Sequence, residues 1–246
     1  MIRPLNPEDI QVLILAGGFG TRLKSVVQDL PKPMATIANK PFLEYLISFL
    51  KAQNFKNITL LTGYKSELIQ NYFQDGKNFG INMTYSHEDQ PLGTGGALAQ
   101  AMRSFPKSHY LVLNGDSFFS MKLCQLLINQ DAMISIALRK VDDISRYGGV
   151  ELDQNNKIIS FYEKNQNGGP GLINAGIYLF KKEVLNYFPK QNNFSIEQDI
   201  FAKLAHQNLI FGVKSEGHFI DIGLPESFSE AQTLLPKWIQ EYDQKI

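Results

Sequence analysis

The stretch Gly17-Gly18-Phe19-Gly20-Thr21-Arg22-Leu23 sets three glycines beside a guanidinium, and Pro31-Lys32-Pro33-Met34 follows soon after. Glycines let a backbone approach a ligand and turn its N–H groups inward, which is how chains cradle phosphate. Arginine grips phosphate bidentately, and lysine acts as a mobile point charge. Between Gly17 and Pro33 the cations Arg22, Lys24 and Lys32 oppose only Asp29, so the loop is locally cationic. It is not a dinucleotide fingerprint, because Arg22-Leu23 stand where a third glycine belongs; nor is it a P-loop, because no Gly-Lys-Ser/Thr closes it. Alone, the glycines could equally form a tight turn with solvated cations. Two aspartates complete the chemical inventory: Asp116 and Asp221 each follow an apolar run, where open α/β sheets carry ligands. One such aspartate is commonly only a turn former. Two beside a phosphate loop suit Mg²⁺, which takes few carboxylates and fills its shell with phosphate oxygens and water.

An alternation of apolar runs and helical-period segments must position these groups. Residues 12–16, 57–62, 81–86 and 110–114 read as buried strands, and 41–54, 65–73, 95–104 and 121–129 as helices. In 41–54, Pro41 suits the first turn, and Phe42, Leu43, Leu46, Phe49 and Leu50 form a wide apolar face. Such alternation predicts an α/β fold, Rossmann-like, with a mainly parallel mixed sheet flanked by helices. After Ala132 the pattern changes to strands over 132–141, 149–153, 158–163, 172–180 and 218–222. The turn Asp153-Gln154-Asn155-Asn156 makes two of them a hairpin. Ser195-Ile196-Glu197-Gln198 predicts a capping box opening a helix to His206, and Pro225 begins a last helix over 225–235. No repeat or linker intervenes, so a single domain over 1–246 with a smaller antiparallel lobe is expected.

Composition narrows the function further. Lys and Arg total 24, as do Asp and Glu, so no global basic field supports nucleic-acid binding, and an anionic ligand must be held locally. Cys124 is the only cysteine, which excludes an intrachain disulfide and a thiolate metal cluster; it is expected to be a buried small hydrophobe. His87, His109, His206 and His218 show no metal-ligand spacing. The first apolar run is too short for a signal or a membrane span, which predicts a cytoplasmic protein with no membrane partner. Whether copies associate is not written in the sequence; Trp238 is expected to pack on the core or on a second copy.

LAGGFGTRL with PKPM resembles the signature of the sugar-phosphate nucleotidyltransferases. HEDQPLGTGGAL, LVLNGDSFF, RYGGVE, FYEK, LINAGIYLF and FIDIGLPE occur in that family's order, from about residue 11 to 235. Together they look most like the bacterial enzymes that join GTP to D-glycero-α-D-manno-heptose 1-phosphate. The resemblance implies a GT-A-like nucleotidyltransferase fold, with nucleotide bound over about 11–130 and sugar phosphate over about 131–235. It also implies a role in nucleotide-sugar and cell-surface polysaccharide biosynthesis. Leu15, Gly17, Gly18, Gly20, Thr21 and Arg22 match nucleotide contacts, with Arg22 on the departing phosphates, and Gln90 and Gly95 match the segment lining the nucleobase. Lys32 matches the lysine at the α-phosphate, and Asp116 and Asp221 match the Mg²⁺ ligands. Lys164 matches the residue that holds the sugar phosphate; Glu163, Asn174 and the backbone of Gly149 match contacts to the sugar.

Related enzymes act on mannose, glucose or N-acetylmuramate 1-phosphate, and a catalytically inactive, ligand-binding regulatory relative is a further alternative. A nucleotide-sugar glycosyltransferase fits less well, because the chain contains no Asp-x-Asp.

Overall fold

The computed structural model describes residues 6–18, 20, 23, 29–127, 131–162, 164 and 168–243, with only the backbone at 242–243. In the first half, the strands are β1 (Gln11–Leu15), β2 (Thr36–Ile37), β3 (Lys40–Pro41), β4 (Asn57–Thr62), β5 (Asn82–His87), β6 (His109–Asn114) and β7 (Ser117–Phe119). Helices α1 (Phe42–Ala52), α2 (Ser66–Phe73) and α3 (Gly93–Ser104) interleave with them. The second half contributes β8 (Ile134–Val141), β9 (Val150–Leu152), β10 (Ile158–Phe161), β11 (Gly171–Lys181), α4 (Ala202–His206), β12 (Ile210–Lys214), β13 (Phe219–Asp221) and α5 (Pro225–Asp243).

Nine strands form one sheet in the order β10-β9-β11-β6-β1-β4-β5, with β8 on β11 and β12 on β8. The pairs β1–β4, β1–β6, β4–β5 and β8–β12 are parallel, and β11 runs antiparallel to β6, β8 and β9. The expected antiparallel lobe is therefore a continuation of the main sheet through β11. Strand β1 lies at the centre and is buried on both faces, which is why it reads as an unbroken apolar run. Val12 and Ile14 join the core beneath α1, whereas Leu13 packs on the α3 side.

Several expectations need correction. Residues 121–129 do not form an α-helix: Leu123–Leu127 is a 3₁₀ turn, and 128–130 lie outside the described residues. The Gln53 side chain donates to the Met121 carbonyl and accepts from the Leu123 amide, so helical pairing there is replaced. Leu123 and Leu126 point inward from this turn, which leaves Cys124 exposed, not buried. Pro41 caps α1 and lies before its first turn.

Strand β12 had no expectation, because Gly212 breaks its pattern; Leu138 and Leu152 crowd that position too closely for a Cβ. Ser195 caps the next helix by accepting from the Gln198 amide, but its own amide pairs with Asp199. The helix opens with a π turn over Ile196–Phe201, so the reciprocal partner shifts by one residue. Finally, α5 continues through Pro236 to Asp243, because Leu234, Trp238 and Ile239 extend its packed face. Trp238 stacks on His218 with ring centroids 4.7 Å apart, so its partner lies within the chain. Among the described residues, no helix is long and apolar enough to cross a membrane.

Candidate active site

The parallel strands deliver their following loops to one edge of the sheet. Beyond β1 the Ala16 amide still pairs with Leu61, and beyond β6 the Gly115 amide pairs with Leu15 at 3.0 Å. These bonds set the glycine loop beside the turn that carries Asp116. The chain then reverses into β7, which pairs antiparallel with β13 so that Ser117 opposes Asp221. The Ile222 amide donates to the Asp116 carbonyl at 2.9 Å. Two carboxylates remote in sequence are thus fixed by one backbone ribbon.

Each carboxylate carries a cation. Lys32 sits in a 3₁₀ turn pinned by the buried Pro33 and Met34, and its Nζ lies 2.5 Å from Asp116 Oδ2. The Lys32 side chain is 10% exposed and that of Asp116 36%, so the lysine is the more desolvated partner. Arg146 Nη2 donates to Asp221 Oδ2 at 3.1 Å and to Ser227 Oγ at 2.9 Å, and its guanidinium lies over the Tyr147 ring. Asp221 Oδ1 accepts from the Gly223 amide.

A cavity of about 700 Å³ opens on all of these groups, a size suited to small-molecule ligands. At the end of β1 it is lined by Leu15, Gly17, Gly18 and Gly20. Lys32, Asp116, Asp221, Lys164 and Asn174 line it as well. The Asn174 carboxamide is fixed: Nδ2 donates to Tyr178 Oη at 3.0 Å and Oδ1 accepts from the Gly176 amide at 2.9 Å. Burial pushes the Tyr178 phenol far above its ordinary pKa, so it remains a neutral hydroxyl.

Three expected residues stand elsewhere. Gln90 is exposed and does not line the cavity; Pro91 and Gly93 of the same segment do. Gly95 is buried against the Phe194 ring, where a Cβ would collide, so its role there is close packing. Gly149 exchanges both backbone hydrogen bonds with Tyr162 and offers neither group to the cavity. Thr21, Arg22 and Glu163 lie outside the described residues.

The cavity also includes groups that the sequence reading left out, chiefly Arg146, Glu88, Thr94 and Glu197. Arg146 was visible only as a cation preceding an aromatic residue and two glycines. Glu197 was read as part of a cap; its Oε2 instead accepts from the hydroxyls of Thr94 and Ser195.

Among the described residues, no cluster of three or more His, Cys, Asp or Glu forms a metal cage. Asp116 and Asp221 nevertheless fit a hard divalent cation whose remaining ligands are phosphate oxygens and water. Their present counter-ions, Lys32 and Arg146, are also the groups that an incoming polyphosphate would attract, and the carboxylates would then need another cation.

The nucleotidyl transferase family model matches residues 11–237. A D-glycero-α-D-manno-heptose 1-phosphate guanylyltransferase from Campylobacter jejuni is 45% identical over 222 residues, covering 89% of this chain and 97% of that protein. Its counterpart from Aneurinibacillus thermoaerophilus is 39% identical, covering 94% of this chain and 100% of that protein. The crystal structure of HddC from Yersinia pseudotuberculosis complexed with GMP-PN superposes with a TM-score of 0.81 at 34% identity, covering 91% of this chain and 98% of that one.

Proposed function

Because this chain belongs to the nucleotidyl transferase family, we propose that it transfers a guanylyl group from GTP to D-glycero-α-D-manno-heptose 1-phosphate, releasing pyrophosphate. The observation that carries this reading is the convergence of Lys32–Asp116 and Arg146–Asp221 on a cavity shared with the glycine loop and Lys164. We place the activity in the cytoplasm, within nucleotide-sugar biosynthesis. The nucleotide belongs to residues 11–130 and the sugar phosphate to 131–235, in one domain.

The attacking sugar-phosphate oxygen is already anionic, so the reaction needs no general base. The obstacle is repulsion between two phosphates, and the site must supply position and positive charge. Lys32 is placed to leave Asp116 for the α-phosphate, where negative charge accumulates. Arg22 holds the β- and γ-phosphates, and Lys164 anchors the sugar phosphate. The fixed Asn174 carboxamide, together with Glu163, orients the sugar hydroxyls. Asp116 and Asp221 are the residues that would hold Mg²⁺, which when bound neutralises phosphate charge.

The test is pyrophosphate release across GTP, ATP, UTP and dTTP, each with heptose, mannose and glucose 1-phosphates and Mg²⁺. GTP with the heptose phosphate is expected to be preferred. A clear preference for UTP or dTTP, or for glucose 1-phosphate, refutes the substrate assignment, and silence across the panel refutes the enzymatic one.

A further inference from the structure

Three cations of the described residues line the cavity, and Arg146 alone among them has no substrate group to bind. Its loop, between β8 and β9, is tightly tied. Asp143 Oδ1 accepts from the Ser145 amide at 3.0 Å and the Gly169 amide at 3.2 Å. The Tyr147 and Gly148 amides both donate to the Ile144 carbonyl, at 3.0 and 2.9 Å. The same loop lies against the segment that carries Lys164. Gly149 and Tyr162 exchange both backbone hydrogen bonds. A Cβ on Gly148 would stand 2.5 Å from the Tyr162 carbonyl and 3.7 Å from the Lys164 amide. Arg146 therefore enters the cavity beside the lysine assigned to the sugar phosphate.

A guanidinium presents five N–H donors, and few of them are engaged here. Nη2 reaches Asp221 Oδ2 at 3.1 Å, the Asp221 carbonyl at 3.3 Å and Ser227 Oγ at 2.9 Å. Nε and Nη1 make no hydrogen bond among the described residues. Two supports are independent of the Asp221 carboxylate. One is the buried Ser227 hydroxyl, itself bonded to the Leu224 carbonyl; the other is the Tyr147 ring, 5.0 Å away. The guanidinium thus keeps its place, with donors to spare, when the carboxylate turns to another cation. Asp221 is only 21% exposed, so losing one counter-ion favours gaining the next. A guanidinium released beside Lys164 in turn favours an anion, and phosphate oxygens match its fork.

Resting on the guanylyl-transfer reading above, we propose that Arg146 is an exchangeable counter-ion. It holds Asp221 in the free protein and joins Lys164 on the sugar phosphate once Asp221 turns to a divalent cation.

The experiment measures Mn²⁺ binding to the nucleotide-free protein by electron paramagnetic resonance, which needs no turnover. Arg146→Met should bind Mn²⁺ about tenfold more tightly than the wild type, because no charge-assisted pair has to be broken first. Lys164→Met removes the same charge without touching Asp221 and should stay within about threefold of the wild type. In steady-state assays at saturating Mg²⁺, Arg146→Met should raise KM for heptose 1-phosphate by about 10- to 100-fold. Its KM for GTP should stay within about threefold, and Arg146→Lys, which keeps the charge, should recover part of the loss. Melting curves check that each variant is folded.

Unchanged or weaker Mn²⁺ binding by Arg146→Met would make the guanidinium only a support for Asp221 and overturn the proposal. So would equal tightening in Lys164→Met, which would point to the general field of the cavity. An unchanged KM for the sugar phosphate, or equal rises for both substrates, would overturn it as well. If the wild type turns nothing over while Arg146→Met still binds Mn²⁺ more tightly, the transferase reading falls and the exchange at Asp221 stands.

Discussion

Replacing Gly20 by alanine tests whether the glycine loop and the lysine work as one unit. Gly20 has φ +59°, in the left-handed region, where an added Cβ costs about 1–2 kcal/mol. That Cβ would also stand 2.9 Å from Lys32 Cβ and 3.6 Å from its Cγ. Carbon atoms pack best at about 3.5–4.0 Å, so the lysine stem must retreat by roughly 0.6–1 Å. Its Nζ, now 2.5 Å from Asp116, would be displaced by a similar amount. A misplacement of about 1 Å can cost on the order of 10²-fold in rate. Gly20→Ala should therefore lower kcat by about 10²-fold in a pyrophosphate-release assay. Backbone strain and crowding together should cost roughly 2–3 kcal/mol, lowering Tm by about 4–10 °C. Gly18→Ala, whose Cβ would meet nothing within 4 Å, should leave Tm unchanged. If Gly20→Ala retains kcat within about threefold, the lysine is not positioned by the loop and the reasoning fails.

Other perturbations separate binding from chemistry. Lys32→Ala should lower kcat by about 10²–10³-fold, whereas Lys164→Ala should chiefly raise KM for the sugar phosphate; the reverse pattern would show the roles misassigned. Asp116→Asn and Asp221→Asn should each abolish turnover while the far-ultraviolet spectrum stays native, and chelation of divalent metal should silence the wild type reversibly. Normal turnover of either variant at limiting Mg²⁺ would exclude that residue as a needed ligand. Burial raises the folded-state pKa of Glu88, so neutral Glu88 favours the fold at low pH and its ionisation costs stability as pH rises. Glu88→Gln should thus raise Tm at neutral pH, with the gain shrinking as pH falls through the raised folded value toward the ordinary glutamate value of 4.5 and gone below it; a gain that grows on acidification would reverse the sign.

Much of this arrangement was legible because its signals are local. The glycine loop, Lys32 and the strand-end aspartates declare themselves by residue type next to apolar runs, and the parallel strands by unbroken Val, Ile and Leu. Arg146 and Glu88 were not legible, because what distinguishes them is tertiary. Arg146 matters through Asp221 and Ser227, which α5 and β13 bring to it. Glu88 fits through space left by Gly17 and Gly63, which lie just beyond β1 and β4. The failed helix at 121–129 has a similar cause: the competing hydrogen bonds come from Gln53, on a distant element. Cys124 followed from that error, since a 3₁₀ turn and an α-helix direct different residues inward.

The ribbon that joins β7 to β13 also governs when the two aspartates can meet during synthesis. Besides the strand pairing, the His218 amide reaches Ser120 Oγ at 2.8 Å, across 98 residues of chain. A ribosome adding about 5–20 residues per second needs roughly 5–20 s to cover that interval. Throughout it, the nascent chain already owns its glycine loop, Lys32 and Asp116, yet lacks the strand that carries Asp221. The backbone ribbon that sets Asp116 beside Asp221 therefore forms only after Phe219–Asp221 have been made, long after the glycine loop and Lys32.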